Sequence, residues 1–412
     1  TDPTRVRRRG RFAQGEGGYV RLAGENFSGT EGKSCGILGF VTQPTLEEAV
    51  FVKRISFWVA LCLGLSLLCG AAWALPAVAP KDIKSGYVYV GPVGDGGWTY
   101  MHDLARKAMD KAYPGLKSSY VESVPEGPDA ERVMETFIRN GSKVIFATSF
   151  GFMDPVQNVA KRHPDVIFMH CSGYKRAANV GTYFGRMYQA RYLSGLVAGK
   201  MTKSNTIGYV AAYPIPEVIR HIDAFTLGVR KANPKAKVKV VWIFSWHDPA
   251  KEKEATKALV DAKSDVIAMH ADTGAAPQAA EELGVWVIGY NSDMSRYAPT
   301  KFLTSPIWNW SVVYKHVLDQ VTKGTWKSED IWWGMEKGLV DLAPFGKGVP
   351  QSVKDLVAKE KAQIASGKLD VFAGPIKDQK GKVVVPAGKS MSDKDLLSLT
   401  WFVEGVEGDV PK

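Results

Sequence analysis

The segment GPVGDGGWTYMHD (91–103) gathers residues able to hold a small ligand, directly behind the strand-like run YVYV. Its glycines, Gly97 among them, let a backbone approach a ligand closely. Trp98 offers a flat stacking face and Asp95 a hydrogen-bond acceptor. As a dinucleotide loop the segment fails. Gly94-Asp95-Gly96-Gly97-Trp98-Thr99 has threonine where G-x-G-x-x-G needs its last glycine, and its acid repels phosphate. Aromatics and acids recur behind other strand-like runs: Phe150 and Phe152 after KVIFATS, Trp246 after VVWIFS, Asp272 after DVIAMHA, Asn291 and Asp293 after VWVIGY. For each alone, loop packing is the plain alternative. Five such sites at one topological edge point instead to a shared cleft for a flat, neutral, hydrogen-bonding ligand such as a nucleobase.

The same residues argue against catalysis. None of the seven histidines forms H-E-x-x-H or a Cys/His metal set, and there is no G-x-S-x-G elbow. His102 beside Asp103 points away from it on a helix. His270 and Asp272 share a strand face, which fits a ligand-contacting or core histidine. No catalytic residue, metal or cofactor is expected. Of the four cysteines only Cys171 lies beyond residue 74, in the apolar run VIFMHC, so no internal disulfide is expected there. The formal net charge is +11; residues 1–74 hold nine Lys/Arg and six Asp/Glu, leaving +8 for 75–412. Those charges are interspersed, and the one true cluster, Arg5 to Arg11, lies far upstream, so no nucleic-acid partner is expected.

The elements that must position these residues alternate. Strand-like runs are read at 87–93, 118–124, 143–148, 165–170, 179–185, 206–212, 237–245, 265–271 and 285–291. Helical stretches are read at 99–113, 129–140, 154–162, 187–201, 217–232, 250–262 and 275–283. Several end at Tyr113-Pro114, His163-Pro164 and Asn233-Pro234, where proline stops a helix. Continuous apolar strands separated by helices predict the α/β class: two doubly wound lobes around a hinged cleft. One lobe is expected to take 81–203 plus part of 306–412, the other 204–305 plus part of 325–370. Two more helices (310–323, 351–366) and a hairpin, DVFAGPIKDQKGKVVVP, complete the chain.

Upstream, Lys53-Arg54 precedes the apolar ISFWVALCLGLSLLCG and Ala72-Trp73-Ala74, a signal-peptide pattern over 53–74 with an A-x-A cleavage site. Lipidation at Cys69 is the alternative, against the grain of Ser66-Leu67-Leu68 before it. Residues 1–52 read as a non-native or misread leader, with translation expected to start near Val50 or Val52.

From about 84 to 375 the chain resembles the basic membrane protein family of ABC-transporter substrate-binding proteins, the purine-nucleoside-receptor-like group. The resemblance is carried by GPVGDGGWTYMHD, ATSFGFMDP, the stretch 179–218, AFTLGVRKANP, FSWHDPAKEKEA, IGYNSDM and LTSPIWNW. It implies a type I periplasmic binding fold that closes on a purine nucleoside or relative between two aromatic rings. Trp98 and Trp246 stand at the two stacking positions, Asp95 and Asp154 at polar positions near the base. Where nucleoside-binding members hold ribose with an acid and a lysine, this chain has Asn291, followed by Asp293, and Trp308. Tryptophan would shrink and dry the sugar end, so a free base such as adenine is expected ahead of a nucleoside, its edges read by Asp95, Asp154 and Asp272. The signal pattern predicts a periplasmic protein, or a lipid-anchored one, expected to be a monomer serving a permease of the inner membrane. A sensory ligand-binding module and a purine-salvage hydrolase are the alternatives.

Overall fold

The computed structural model describes residues 77–411; the leader, signal-peptide and Cys69 expectations lie outside the described residues. Strands β1 (Lys84–Val88), β2 (Lys117–Val121), β3 (Val144–Ala147), β4 (Ile167–Cys171) and β5 (Val180–Gly185) form a first parallel sheet, with β12 (Asp330–Trp333) at its edge. Its order is β12-β5-β4-β3-β1-β2. Helices α1 (Trp98–Ala112), α2 (Pro128–Arg139) and α3 (Met153–Arg162) connect its strands. The second sheet holds β6 (Thr206–Ala211), β7 (Lys237–Trp242), β8 (Val266–His270), β9 (Trp286–Ile288), β10 (Phe302–Thr304) and β16 (Val406–Glu407), in the order β10-β9-β8-β6-β7-β16. Its helices include α4 (Tyr188–Met201), α5 (Pro216–Ala232), α6 (Pro249–Asp261) and α7 (Ala275–Glu282). Every pairing within the two large sheets is parallel.

The strands form where the apolar runs lie because both sheet faces are covered. Every residue of β3, β4 and β8 is buried, so VIFA, IFMHC and VIAMH carry no alternation. Local chemistry sets the helix ends. Pro216 and Pro249 open α5 and α6, where a missing N–H loses no bond, and Asp248 caps α6 by accepting from the Lys251 amide.

The chain passes between the sheets three times: after Gly185, through β11 (Pro306–Trp308) and through β13 (Val340–Leu342). The last two pair antiparallel. Between them α8 (Ser311–Lys323) and β12 complete the first lobe. Residues 188–203, expected with the first lobe, pack through α4 on α5 of the second. That contact is backbone on backbone: a Cβ on Gly228 would overlap the Tyr192 carbonyl. After an antiparallel hairpin of β14 (Ile376–Lys377) and β15 (Val383–Val385), the tail also joins the second lobe, through β16 and a Val403 N–H that donates to Asp223. No helix among the described residues is long and apolar enough to cross a membrane.

Candidate functional site

In each sheet the strand order reverses beside the first strand, between β1 and β3 and between β6 and β8. Loops leaving those strands diverge to opposite faces and open a crevice at the carboxyl ends, the usual ligand position in such sheets. The two crevices face each other across one cavity. The first lobe contributes Val90, Trp98, Ser149, Phe150 and Ser172; the second contributes Glu217, Trp246, His270, Asp272 and Tyr290.

Four of the sequence-predicted residues, Trp98, Phe150, Trp246 and Asp272, therefore line one cavity. Trp98 is the first residue of α1, and its indole N–H donates to the Thr148 carbonyl at 2.7 Å. Behind it stand Trp308 and Trp310, both edge-on to its ring, with centroids at 5.7 and 5.3 Å. These two stack on each other at 4.4 Å, and His102 stacks on Trp310 at 4.5 Å. Burial holds the His102 imidazole well below its ordinary pKa, so it serves this stack as a neutral ring. Trp246, from the loop after β7, leans on Tyr213 with centroids 5.1 Å apart.

Asp272 is buried, and its Oδ1 accepts from the Asn291 amide at 2.9 Å. Burial, reinforced by the charges of Asp95 and Glu252, raises its carboxyl well above the usual range. Asn291 reaches in two directions, because its Oδ1 also accepts from the Trp308 indole N–H at 2.9 Å. The two positions where the sequence departs from the resembled pattern thus bond to each other and hold Asp272. Trp308 itself lies behind Trp98, fully buried, and does not line the cavity.

The remaining candidates sit elsewhere. Asp95 turns its carboxylate onto the amides of Gly97, Thr99 and Tyr100 at 2.8–3.0 Å, closing the N-terminus of α1. Its acceptors are spent on the backbone, which fixes the loop carrying Trp98 rather than a ligand edge. Asp154 is exposed and pairs with Lys175 at 2.6 Å, a contact that holds its carboxyl below the usual range. It does not line the cavity. Asp293 is exposed and accepts from the Ser295 amide, tying its own turn. Gly97 presses on the other lobe: a Cβ there would overlap the Asp272 carbonyl oxygen and come within 3.1 Å of its Cα. Beside it the Ser292 hydroxyl donates to the Gly96 carbonyl. These contacts close the mouth of the cleft.

Sequence reasoning missed Glu217, Tyr290, Val90, Ser149 and Ser172. Val90, Ser149, Ser172 and Tyr290 lie just past a strand, so position could have found them, and Glu217 lies in the first turn of the helix that follows β6. Glu217 reads as an ordinary first-turn helix acid. Burial pushes its carboxyl up to about 7, against the pull of Arg220 and Arg191. Glu217, His221 and His270 bring donor atoms within 4.8 Å of one another, a spacing that could hold a metal ion. Burial and the charges of Arg220 and Arg191 depress both imidazoles, and the same charges would repel a cation. Glu217 and His270 line the cavity, and His221 stacks on His270 with ring centroids 5.0 Å apart.

A family model described as Bmp, ABC transporter substrate-binding protein PnrA-like, matches residues 83–371. A purine-binding protein of Brucella abortus is 44% identical over 337 residues, 82% of this chain and 96% of its own. A putative ABC transporter glucose-binding protein of Haloferax volcanii is 43% identical over 332 residues, 80% of this chain and 82% of its own. Among solved structures, ABC-transporter solute-binding proteins from Conexibacter woesei and Aeropyrum pernix align with TM-scores of 0.59 and 0.61. They are 22% and 19% identical and cover 70% and 72% of this chain, with 98% and 93% of their own. The fold is therefore that of the type I periplasmic binding proteins.

Proposed function

Since the chain belongs to the Bmp family of PnrA-like ABC-transporter substrate-binding proteins, a family of binding components and not of enzymes, we propose that it captures a free purine base such as adenine for import. The observation that carries this reading is the cavity between Trp98 and Trp246, walled on the second lobe by Glu217, His270 and Asp272. Two indoles supply stacking faces, each worth roughly 1–3 kcal/mol by analogy with base–aromatic stacking. The acids supply acceptors for an amine or ring N–H. The purine-binding relative at 44% identity supports the same ligand class. Trp308, lodged behind Trp98 and tied to Asn291, supports the base over the nucleoside, because neither residue is left to hold ribose hydroxyls.

The open lobes admit the base, and closure buries it and presents a joint surface to a cognate permease. Export through the signal pattern at 53–74 would deliver the protein to the periplasm. The glucose-binding relative favours a second ligand class, a sugar stacked on the same tryptophans. Thermal-shift titration of the unfolded and refolded protein with adenine, hypoxanthine, adenosine and glucose separates the two. A ligand at 100 times its Kd stabilises by roughly 2.7 kcal/mol. A shift with adenine and none with glucose is expected; a shift with glucose alone overturns the ligand class, and one with adenosine alone overturns the preference for the base.

A further inference from the structure

Glu217 follows the N-terminal proline of α5, directly behind β6 at the reversal of the second sheet. Its carboxylate lines the cavity and its side chain is 13% accessible. It accepts no hydrogen bond from the described residues. The nearest basic nitrogen, His270 Nε2, stands 3.6 Å away, outside hydrogen-bond reach. Charged and titratable neighbours face it from several elements: Arg220 and His221 from α5, Arg191 from α4, Cys171 from β4, Tyr209 from β6, His270 and Asp272 from the end of β8, and Tyr290 behind β9. Neither guanidinium hydrogen-bonds to it, and Arg191 Nε and Nη2 and Arg220 Nε reach no acceptor among the described residues. Arg191 lies 3.7 Å above the Tyr290 ring and donates to the Met269 carbonyl, and Arg220 donates to the Leu396 carbonyl. A nearly buried acid aimed into a ligand cavity without a protein donor is matched only by donors on the ligand. Asp272 presents a second acid on the same wall. Asn291 occupies its Oδ1, and among the described residues no donor reaches Oδ2.

We propose that Glu217 is a specificity-determining residue of the ligand site, which with Asp272 hydrogen-bonds two edges of a free purine bearing an exocyclic amine and an unsubstituted ring N–H. The inference rests on the purine reading above and adds which residues select within that class. Near neutral pH part of the Glu217 population is protonated and offers O–H and C=O together, the complement of an amine beside a ring nitrogen. A sugar on the ring nitrogen removes the N–H and deprives one acid of its partner.

The test pairs residue deletions with ligand deletions. Calorimetric affinities are measured for adenine, 9-methyladenine and 6-methylpurine with the wild type, Glu217→Ala, Glu217→Gln and Asp272→Ala. Glu217→Ala is expected to weaken adenine at least tenfold. It should weaken by less than threefold the one analogue that already lacks the group Glu217 reads, and Asp272→Ala should spare the other. Glu217→Gln keeps a donor and an acceptor on the same frame and should recover most of the adenine affinity. Equal loss with all three ligands in Glu217→Ala, or no loss with any, overturns the assignment while purine binding stands. A wild type that binds none of the three overturns the purine reading and this inference with it.

Discussion

Gly97→Ala should hold the cleft open. The added Cβ would overlap the backbone carbonyl of Asp272, which cannot swing aside as a side-chain end could. Asp272 is itself fixed by its N–H donating to the Trp246 carbonyl at 2.9 Å and by Asn291. The overlap is relieved by keeping the lobes apart, which also breaks the Ser292–Gly96 contact. A ligand held by one lobe loses one indole face and one polar contact. That removes about 2–4 kcal/mol, a Kd weakened roughly 30- to 900-fold. Calorimetry with adenine reads the affinity, and small-angle scattering reads whether the particle contracts when ligand is added. The ligand-free protein should keep its Tm, because the clash exists only on closure. Gly94→Ala is the control from the same loop, since nothing lies within 4 Å of a Cβ there. Wild-type affinity together with wild-type contraction in Gly97→Ala would refute the argument that this glycine is the closing contact.

Trp246→Ala should weaken purine binding by about 1–3 kcal/mol with little change in Tm, read by calorimetry and by thermal melting of the free protein. Asp154→Asn should leave affinity within threefold, because that carboxylate sits on the surface with Lys175; a tenfold loss would return it to the site. Asn291→Ala leaves the Trp308 N–H and Asp272 without partners and should lower stability by about 1–3 kcal/mol in urea unfolding. Glu252 is buried, held by the Thr273 hydroxyl at 2.8 Å, and raised by burial to about 8. A carboxyl whose folded pKa exceeds its unfolded value gives stability that is complete below about 4.5 and is lost as pH rises through 8. Glu252→Gln should therefore gain on the wild type between pH 5 and pH 9 by roughly 1–4 kcal/mol, and a pH-independent difference would show that the acid does not titrate there.

The fold was legible because its signals are local. Buried parallel strands make uninterrupted apolar runs such as VIFA and VIAMH, and each strand's end marks one rim of the cleft. That rule brought Trp98, Phe150, Trp246 and Asp272 to one cavity. It failed where side-chain direction mattered. A loop acid can turn to ligand, solvent or backbone, and neither Asp95, folded onto three amides, nor Asp154, drawn to Lys175, announces its choice in the sequence. Glu217 was hidden by the opposite problem: an acid in a helix's first turn needs no function to explain it. The Asn291–Trp308 bond joins residues 17 apart in a chain whose periodicity says nothing of that contact. The placement of α4 with the second lobe rests on glycine-mediated backbone contact, which apolar patterning does not encode.

The column of rings behind Trp98 has an optical consequence. Trp308 and Trp310 lie nearly parallel, 16° apart at 4.4 Å, and Trp98 meets both edge-on. Indoles this close share their electronic transitions, so the trio should give a coupled near-ultraviolet circular dichroism couplet that single tryptophans do not. Only Trp98 of the three borders the cavity, and a base laid on it would perturb the whole set at once. A ligand on Trp98 would thus be reported by the protein's own chromophores, along a column of rings that runs to the β11 crossing between the lobes, with no need for an attached dye.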